Sequence, residues 1–231
     1  MKRMSNKGFT LIELLAVITI MGILMLVAIP AVTRTIENSR RDTFADVAGE
    51  YLTAVRNGVL ADEIECSYSA SGDKWTVASA LSDGTYYFPI CTNEGTTVCK
   101  TVTFGSGTSA ITMTTTEIVA STTDLLESGG KSPFGNADVH GYVMWTKSSR
   151  DAMNSASGSS TAGDKKTTTE YKVLLQDTGK HGLAAPQASK NLKRSVVLPT
   201  LTTDLGNAPR TSGTSSDIPT GSSLKGVCRM A

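Results

Sequence analysis

The chain has 231 residues, a formal net charge of +1, and aromatics at only 6%. So balanced a charge leaves no nucleic-acid footprint for the chain as a whole. Abundant Ser, Thr and Gly with few aromatics suit an extracellular β-rich domain with long polar loops.

The first element lies in MKRMSNKGFTLIELLAVITIMGILMLVAIPAV, where residues 9–29 are apolar almost throughout. At about 1.5 Å per residue a helix of that length spans roughly 30 Å, the thickness of a hydrocarbon core. A secretory signal peptide has the same basic start, here Lys2, Arg3 and Lys7, but its core is about 7–15 residues and an A-x-A site follows it. Ala28 is instead followed two residues later by Pro30, and Ala31 is preceded two earlier by Ile29. A plain membrane anchor gives no reason for Glu13, because an ionisable group at mid-membrane costs about 2.5–3.5 kcal/mol. Cleavage after Gly8 would supply a partner. It creates an α-amine at Phe9, and i, i+4 groups share a helix face. The pair closes within one chain or reaches a neighbouring chain, and the second arrangement fixes axial register.

KGFTLIELLAVITIMGILMLVAIP resembles the class III leader and N-terminal helix of type IV pilins and their pseudopilin relatives. The resemblance implies that prepilin peptidase cuts after Gly8, that Phe9 is N-methylated, and that Glu13 pairs with a neighbour's Phe9 amine. It places Gly22 and Pro30 where the family's helix loosens in the filament. A simple kink at Pro30, which removes one helix hydrogen bond, is the alternative reading of that stretch. The implied partners are other pilin subunits, prepilin peptidase, an inner-membrane assembly platform, and lipid before assembly. The basic leader is expected to stay cytoplasmic and everything past Pro30 to lie outside.

The helix is expected to continue amphipathically to 62–64. Ile36, Phe44, Val47, Tyr51, Val55 and Val59 recur at near-helical spacing between charged residues. The expected division is leader 1–8, membrane or filament-core helix 9–30, amphipathic continuation 31–64 and β-rich head 65–231. Within the head, 75–78, 86–88, 101–104, 110–113, 139–146, 171–176 and 195–198 read as short strands, and FGSGTSAITM as a hairpin. Residues 148–169 and 201–224 read as Ser/Thr/Gly/Pro-rich loops. The fold class is therefore α+β, a long N-terminal helix packed against an antiparallel sheet.

Cys66, Cys91, Cys99 and Cys228 all lie in the exported part, so an even count in an oxidising compartment reads as two disulfides with three possible connectivities. The expected pairs are Cys91–Cys99, closing CTNEGTTVC around a turn, and Cys66–Cys228, tying back the C-terminus. In the chain-entropy model so long a loop is worth about 4–5 kcal/mol. Zinc finds no C-x2-C, and His140 and His181 stand apart in sequence.

No reaction chemistry emerges. SGGKS at 128–132 lacks the first glycine of a phosphate-binding loop, position 125 being Leu125. LPTLT at 198–202 lacks the glycine of a sortase signal and a following membrane segment, and there is neither a G-x-S-x-G elbow nor an N-x-[ST] sequon. SPFGNADVHGY faintly resembles the calcium-holding loop of the main pseudopilins, with Asn136 and Asp138 as oxygen donors, but two hard ligands are too few. Trp75 and Trp145 read as core rather than sugar platforms. The expectation is a structural pilus subunit without cofactor or enzymatic activity, serving adhesion, twitching motility, biofilm or DNA uptake. A minor pilin or adhesin, a pseudopilin of a secretion or competence system, and a sugar-binding module on a pilin-like anchor are the alternatives.

Overall fold

The computed structural model describes residues 10–68, 74–93, 99–126, 130–151, 165–202, 204–209 and 224–231. Phe9 and the leader up to Gly8 lie outside them, as do 152–164 and 210–223 within the two expected loops.

Helix α1 (Leu11–Leu60) opens the described chain and contains Pro30. The chain divides into two compact units, one up to Arg40 and one from Arg41 to Ala231. In the first, every described residue from 10 to 36 is exposed, including Leu11, Leu15, Ile18, Leu24, Leu26 and Ile29. Nothing in that unit covers its own apolar surface.

In the second unit α1 buries Phe44, Ala45, Ala48, Tyr51, Leu52, Val55, Gly58 and Val59. These recur at i, i+3/i+4 and i+7, so one stripe meets the core. The helix stops at Leu60, earlier than the expected 62–64. Asp62 takes a left-handed φ of 61° and Glu63 N–H donates back to the Gly58 carbonyl at 2.9 Å, a helix-terminating turn. Ile64 therefore opens strand β1 (Ile64–Ser67) instead of ending the helix.

The elements that follow are β2 (Thr76–Val77), β3 (Gly84–Cys91), β4 (Val102–Phe104), β5 (Ile111–Met113), α2 (Thr115–Leu125), β6 (Val139–Asp151), β7 (Lys165–Asp177), β8 (Gly182–Leu183), β9 (Gln187–Ala188), β10 (Val197–Leu198) and β11 (Leu224–Met230). Among the described residues they make a nine-stranded sheet in the order β10-β8-β7-β6-β3-β11-β1-β2, with β9 on β7, and a separate β4–β5 pair. Every pairing is antiparallel except β11 with β3, which is parallel. The chain is thus α+β, a long helix packed against a mostly antiparallel sheet. β4 and β5 are the expected hairpin, in register from Val102↔Met113 to Phe104↔Ile111.

Two expectations need correcting. Residues 148–151 and 165–169 are not loop: β6 and β7 pair through Asp151↔Lys165. Threonine is a good strand former, and cross-strand hydroxyls meet there, Ser148 with Thr168 at 2.9 Å. Asp83 further accepts from Ser149 N–H at 2.7 Å. Leu224 likewise begins a strand: β11 lies between β3 and β1 in the middle of the sheet.

An aromatic row crosses three strands. Trp145 stacks with Tyr86 at 6.1 Å and Tyr171 at 6.4 Å, the three being register neighbours on β3, β6 and β7. Trp145 is 1% exposed and so is core. Trp75 is half-buried beneath the Arg229 guanidinium, 4.0 Å from its ring centre. Gly141 on β6 leaves no room for a side chain, because a Cβ there would meet the Leu174 carbonyl of β7. Trp145→Ala is expected to lower head stability by about 3–5 kcal/mol, the range for deleting a large buried aromatic. A urea titration of the detergent-solubilised chain, followed by near-ultraviolet circular dichroism, checks it.

Candidate functional site

The apolar unit begins with a helix cap. Thr10 precedes the first turn, and Glu13 sits three residues later. Glu13 Oε2 accepts from Thr10 N–H at 2.9 Å and from the Thr10 hydroxyl at 2.7 Å, while Glu13 N–H donates to Thr10 Oγ1 at 3.4 Å. That is a capping box, in which two of the orphan donors of the helix start are answered. Among the described residues only Oε2 of Glu13 is engaged, and Oε1 stays open to another donor. The sequence reading sought the partner of Glu13 at Phe9 and missed Thr10, although T-x-x-E before an apolar run is the signature of such a box.

The same signature starts α2. Thr114 Oγ1 accepts from Glu117 N–H at 3.3 Å, and Glu117 Oε2 accepts from Thr114 N–H at 2.7 Å. The Thr114 N–H and hydroxyl, both donating to Oε2, hold the Glu117 carboxyl below its ordinary range. In α1 the box answers the N–H groups of Thr10 and Glu13 from within the chain.

Along the apolar unit the other hydroxyls turn inward on the backbone: Thr19 to the Ala16 carbonyl at 2.9 Å, Thr33 to Ile29 at 2.7 Å. α1 runs unbroken through Gly22 and Pro30. The helix is long and apolar enough to cross a membrane by length and composition.

The head carries a second polar constellation. Asp177, 2% exposed, accepts from the Ser132 hydroxyl at 2.6 Å, from His181 N–H at 2.8 Å and from His181 Nδ1 at 2.9 Å. Phe134 stacks on the His181 ring at 4.3 Å and lies 6.2 Å from Phe44 of α1. The loop at 130–138 is thereby pinned to the β7–β8 turn. The aspartate is central and bonds both hydroxyl and imidazole, so the imidazole does not reach the serine as a base and the set is not a nucleophile arrangement.

Asp138, weighed with Asn136 as an oxygen donor, is taken up within the chain. The Asp138 carboxylate accepts from the Asn93 amide at 2.9 Å and lies 3.3 Å from the Lys131 ammonium, and both hold its carboxyl below the usual range. Asn136 has a left-handed φ of 58° in the turn after Gly135. Among the described residues no three His, Cys, Asp or Glu side chains come together as a metal site. Cys66 is bonded to Cys228, its register partner across β1 and β11, and Cys91 to Cys99.

His140 is 1% exposed, and its Nε2 lies 3.1 Å from the Asp204 carboxylate. Burial pushes the imidazole below its ordinary 6.5, against the pull of Asp204 and Asp177. It is therefore neutral at pH 7, and the contact is a hydrogen bond donated by Nε2–H. Gln176 holds the same segment by accepting from Leu205 N–H at 3.0 Å.

Residues 3–29 match the family model described as the prokaryotic N-terminal methylation motif, the class III leader of type IV pilins. The matched stretch takes in Gly8, Phe9, Glu13 and Gly22 and stops just before Pro30. No curated protein and no solved structure matches the chain. The motif supports a type IV pilin-like or pseudopilin protein and indicates a structural subunit rather than an enzyme family.

The depressed groups set the acid side of stability. Glu117, Asp138 and His140 all titrate lower in the folded head than their ordinary 4.5, 3.8 and 6.5. The unfolded chain then binds more protons, so stability falls with falling pH. The His140 share is complete above 6.5 and is lost below it; the carboxylate shares are complete above 4.5 and are lost below that. Urea midpoints of the detergent-solubilised chain are expected to be lower at pH 5 than at pH 7, and lower again at pH 3.5. A midpoint that rises on acidification contradicts the assignment.

Proposed function

We propose that the chain is a structural subunit of a type IV pilus, drawn from a membrane pool into a helical surface filament. The observation that carries the reading is the first unit: an exposed apolar helix led by a single carboxylate that keeps one oxygen unengaged. In this reading 1–8 is the leader removed by prepilin peptidase, 9–30 the membrane and then filament-core helix, 31–64 its amphipathic continuation and 65–231 the exposed head. Cleavage after Gly8 frees the Phe9 amine, which is N-methylated and meets Glu13 of a neighbour.

The energetics support it. Leaving lipid gains little hydrophobic free energy, so helix packing and the Glu13 pair carry the specificity. A parallel, staggered array of identical helices is a heterologous, non-closing contact, which generates a filament. Gly22 and Pro30 are proposed as the place where the helix loosens on assembly. The filament serves surface attachment, motility, biofilm or DNA uptake.

Mass spectrometry of material sheared from the surface of the native cell tests the reading. The expected result is this chain as the dominant species, beginning at N-methyl-Phe9, with all four cysteines oxidised. A trace amount beside another, dominant pilin would make it a minor subunit. A chain kept in the membrane with residues 1–8 still attached would contradict the reading.

A further inference from the structure

β7 has a strand on both of its sides for only part of its length. β6 runs beside it from Lys165 to Asp177, but on the outer side β9 meets only Lys172 and Val173, and β8 only Gln176. After Ala188 the chain leaves the sheet as a 3-10 turn, Ser189–Asn191. From Thr167 to Tyr171 the outer edge of β7 therefore has no ladder partner among the described residues. Alternate residues of a strand direct N–H and C=O to the same side, so this edge offers a row of unmet donors and acceptors. The other edge of the β6–β7 ribbon is closed. β3 pairs with β6 as far as Lys147, and just past it Asp83 accepts from Ser149 N–H at 2.7 Å and from the Ser149 hydroxyl at 3.0 Å.

Beside the open edge lies a groove of about 480 Å³ between α1 and β7. Leu52, Leu60 and Tyr171 give it apolar lining, and Leu60 is 71% exposed. Arg56 and Lys190 stand exposed along it, and neither makes an ion pair among the described residues. With Lys172, the register partner of Ala188, three cations stand here against one carboxylate of the lining, Glu170.

We infer that this edge and groove receive an extended acidic peptide segment of another protein, which adds to β7 as a strand in the row that β9 begins. The inference goes beyond the filament reading, and every group it uses belongs to the second unit. Main-chain bonds to Thr167–Tyr171 supply affinity, as in other cases of strand addition. Side chains of a strand alternate, so those on the α1 side enter the groove. An apolar one covers Leu60, and an acidic one meets Arg56 and Lys190. The sign of the charge also disfavours a second copy, because two such edges side by side bring like charges together.

The test uses the full-length chain in non-ionic detergent and a fluorescent octapeptide that alternates glutamate and valine. Fluorescence anisotropy at pH 7 reads binding. Two control peptides have the same length. One carries lysine in place of glutamate, and the other carries proline in place of valine, which keeps the charge and removes half of the amide donors. Both are expected to bind roughly tenfold more weakly or worse, since strand addition needs the donors and the groove needs the negative charge. Arg56→Glu combined with Lys190→Glu is expected to weaken the acidic peptide by roughly the same factor. Both positions are exposed, and an unchanged near-ultraviolet circular dichroism spectrum shows the head still folded. Failure of the acidic peptide to bind wild type overturns the inference, as does a folded double variant that binds it equally well. Equal binding of the proline peptide overturns it too, because charge attraction alone then suffices. A wild-type dimer that the acidic peptide dissolves places a second copy on the edge and also overturns it.

Discussion

A fifty-residue helix whose first half buries none of its apolar side chains constrains everything else in this molecule. Exposing that surface to water is costly. At roughly 25 cal/mol per Å² of exposed apolar surface, so many bare Leu, Ile and Val side chains demand lipid or other helices of the same kind. In such surroundings the carboxylate of Glu13 would have to be satisfied without water. Thr10 does part of this from within the chain, by binding Oε2 twice. Oε1 is left for whatever the helix meets next. A group half satisfied in the single chain would be a physical basis for ordered assembly if a neighbour supplied the second donor.

The head follows a different constraint. Its last strand, β11, enters the middle of the sheet between β3 and β1, and Cys228 is bonded to Cys66 at a sequence separation of 162. The sheet cannot close until the whole chain is present, a topology dominated by non-local pairing. Once closed, the C-terminus is held by β-ladder bonds on both sides and by Met230 N–H donating to the Ser121 hydroxyl of α2 at 2.7 Å. Asp177 fixes the 130–138 loop in the same way, by accepting from the Ser132 hydroxyl 45 residues earlier.

These distances explain what the sequence could and could not disclose. The apolar run, its carboxylate and the basic leader are local signals, and the anchor with its motif was legible from them. Strong β-branched runs such as that of β6 were legible too. α2 was not, because TTEIVASTTDL is rich in β-branched and hydroxyl residues that favour strands. Only the Thr114–Glu117 box marked it, as the Thr10–Glu13 box marked the start of α1. β11 lay beside a Gly/Ser/Pro-rich stretch and took its identity from β3 and β1 on either side. The Asp177 network was invisible for a similar reason, since Ser132 and Asp177 are 45 residues apart and nothing local joins them.

The account stands on Glu13 as an assembly device and not merely a tolerated charge. The most direct measurement is the distribution of Glu13→Leu, which removes the charge and keeps the apolar helix, between the membrane and the sheared surface fraction. Comparing its N-terminus and head fold with wild type isolates the step that fails. The account predicts a chain cleaved after Gly8 and correctly folded that remains in the membrane. Assembly of Glu13→Leu at the wild-type level would contradict it.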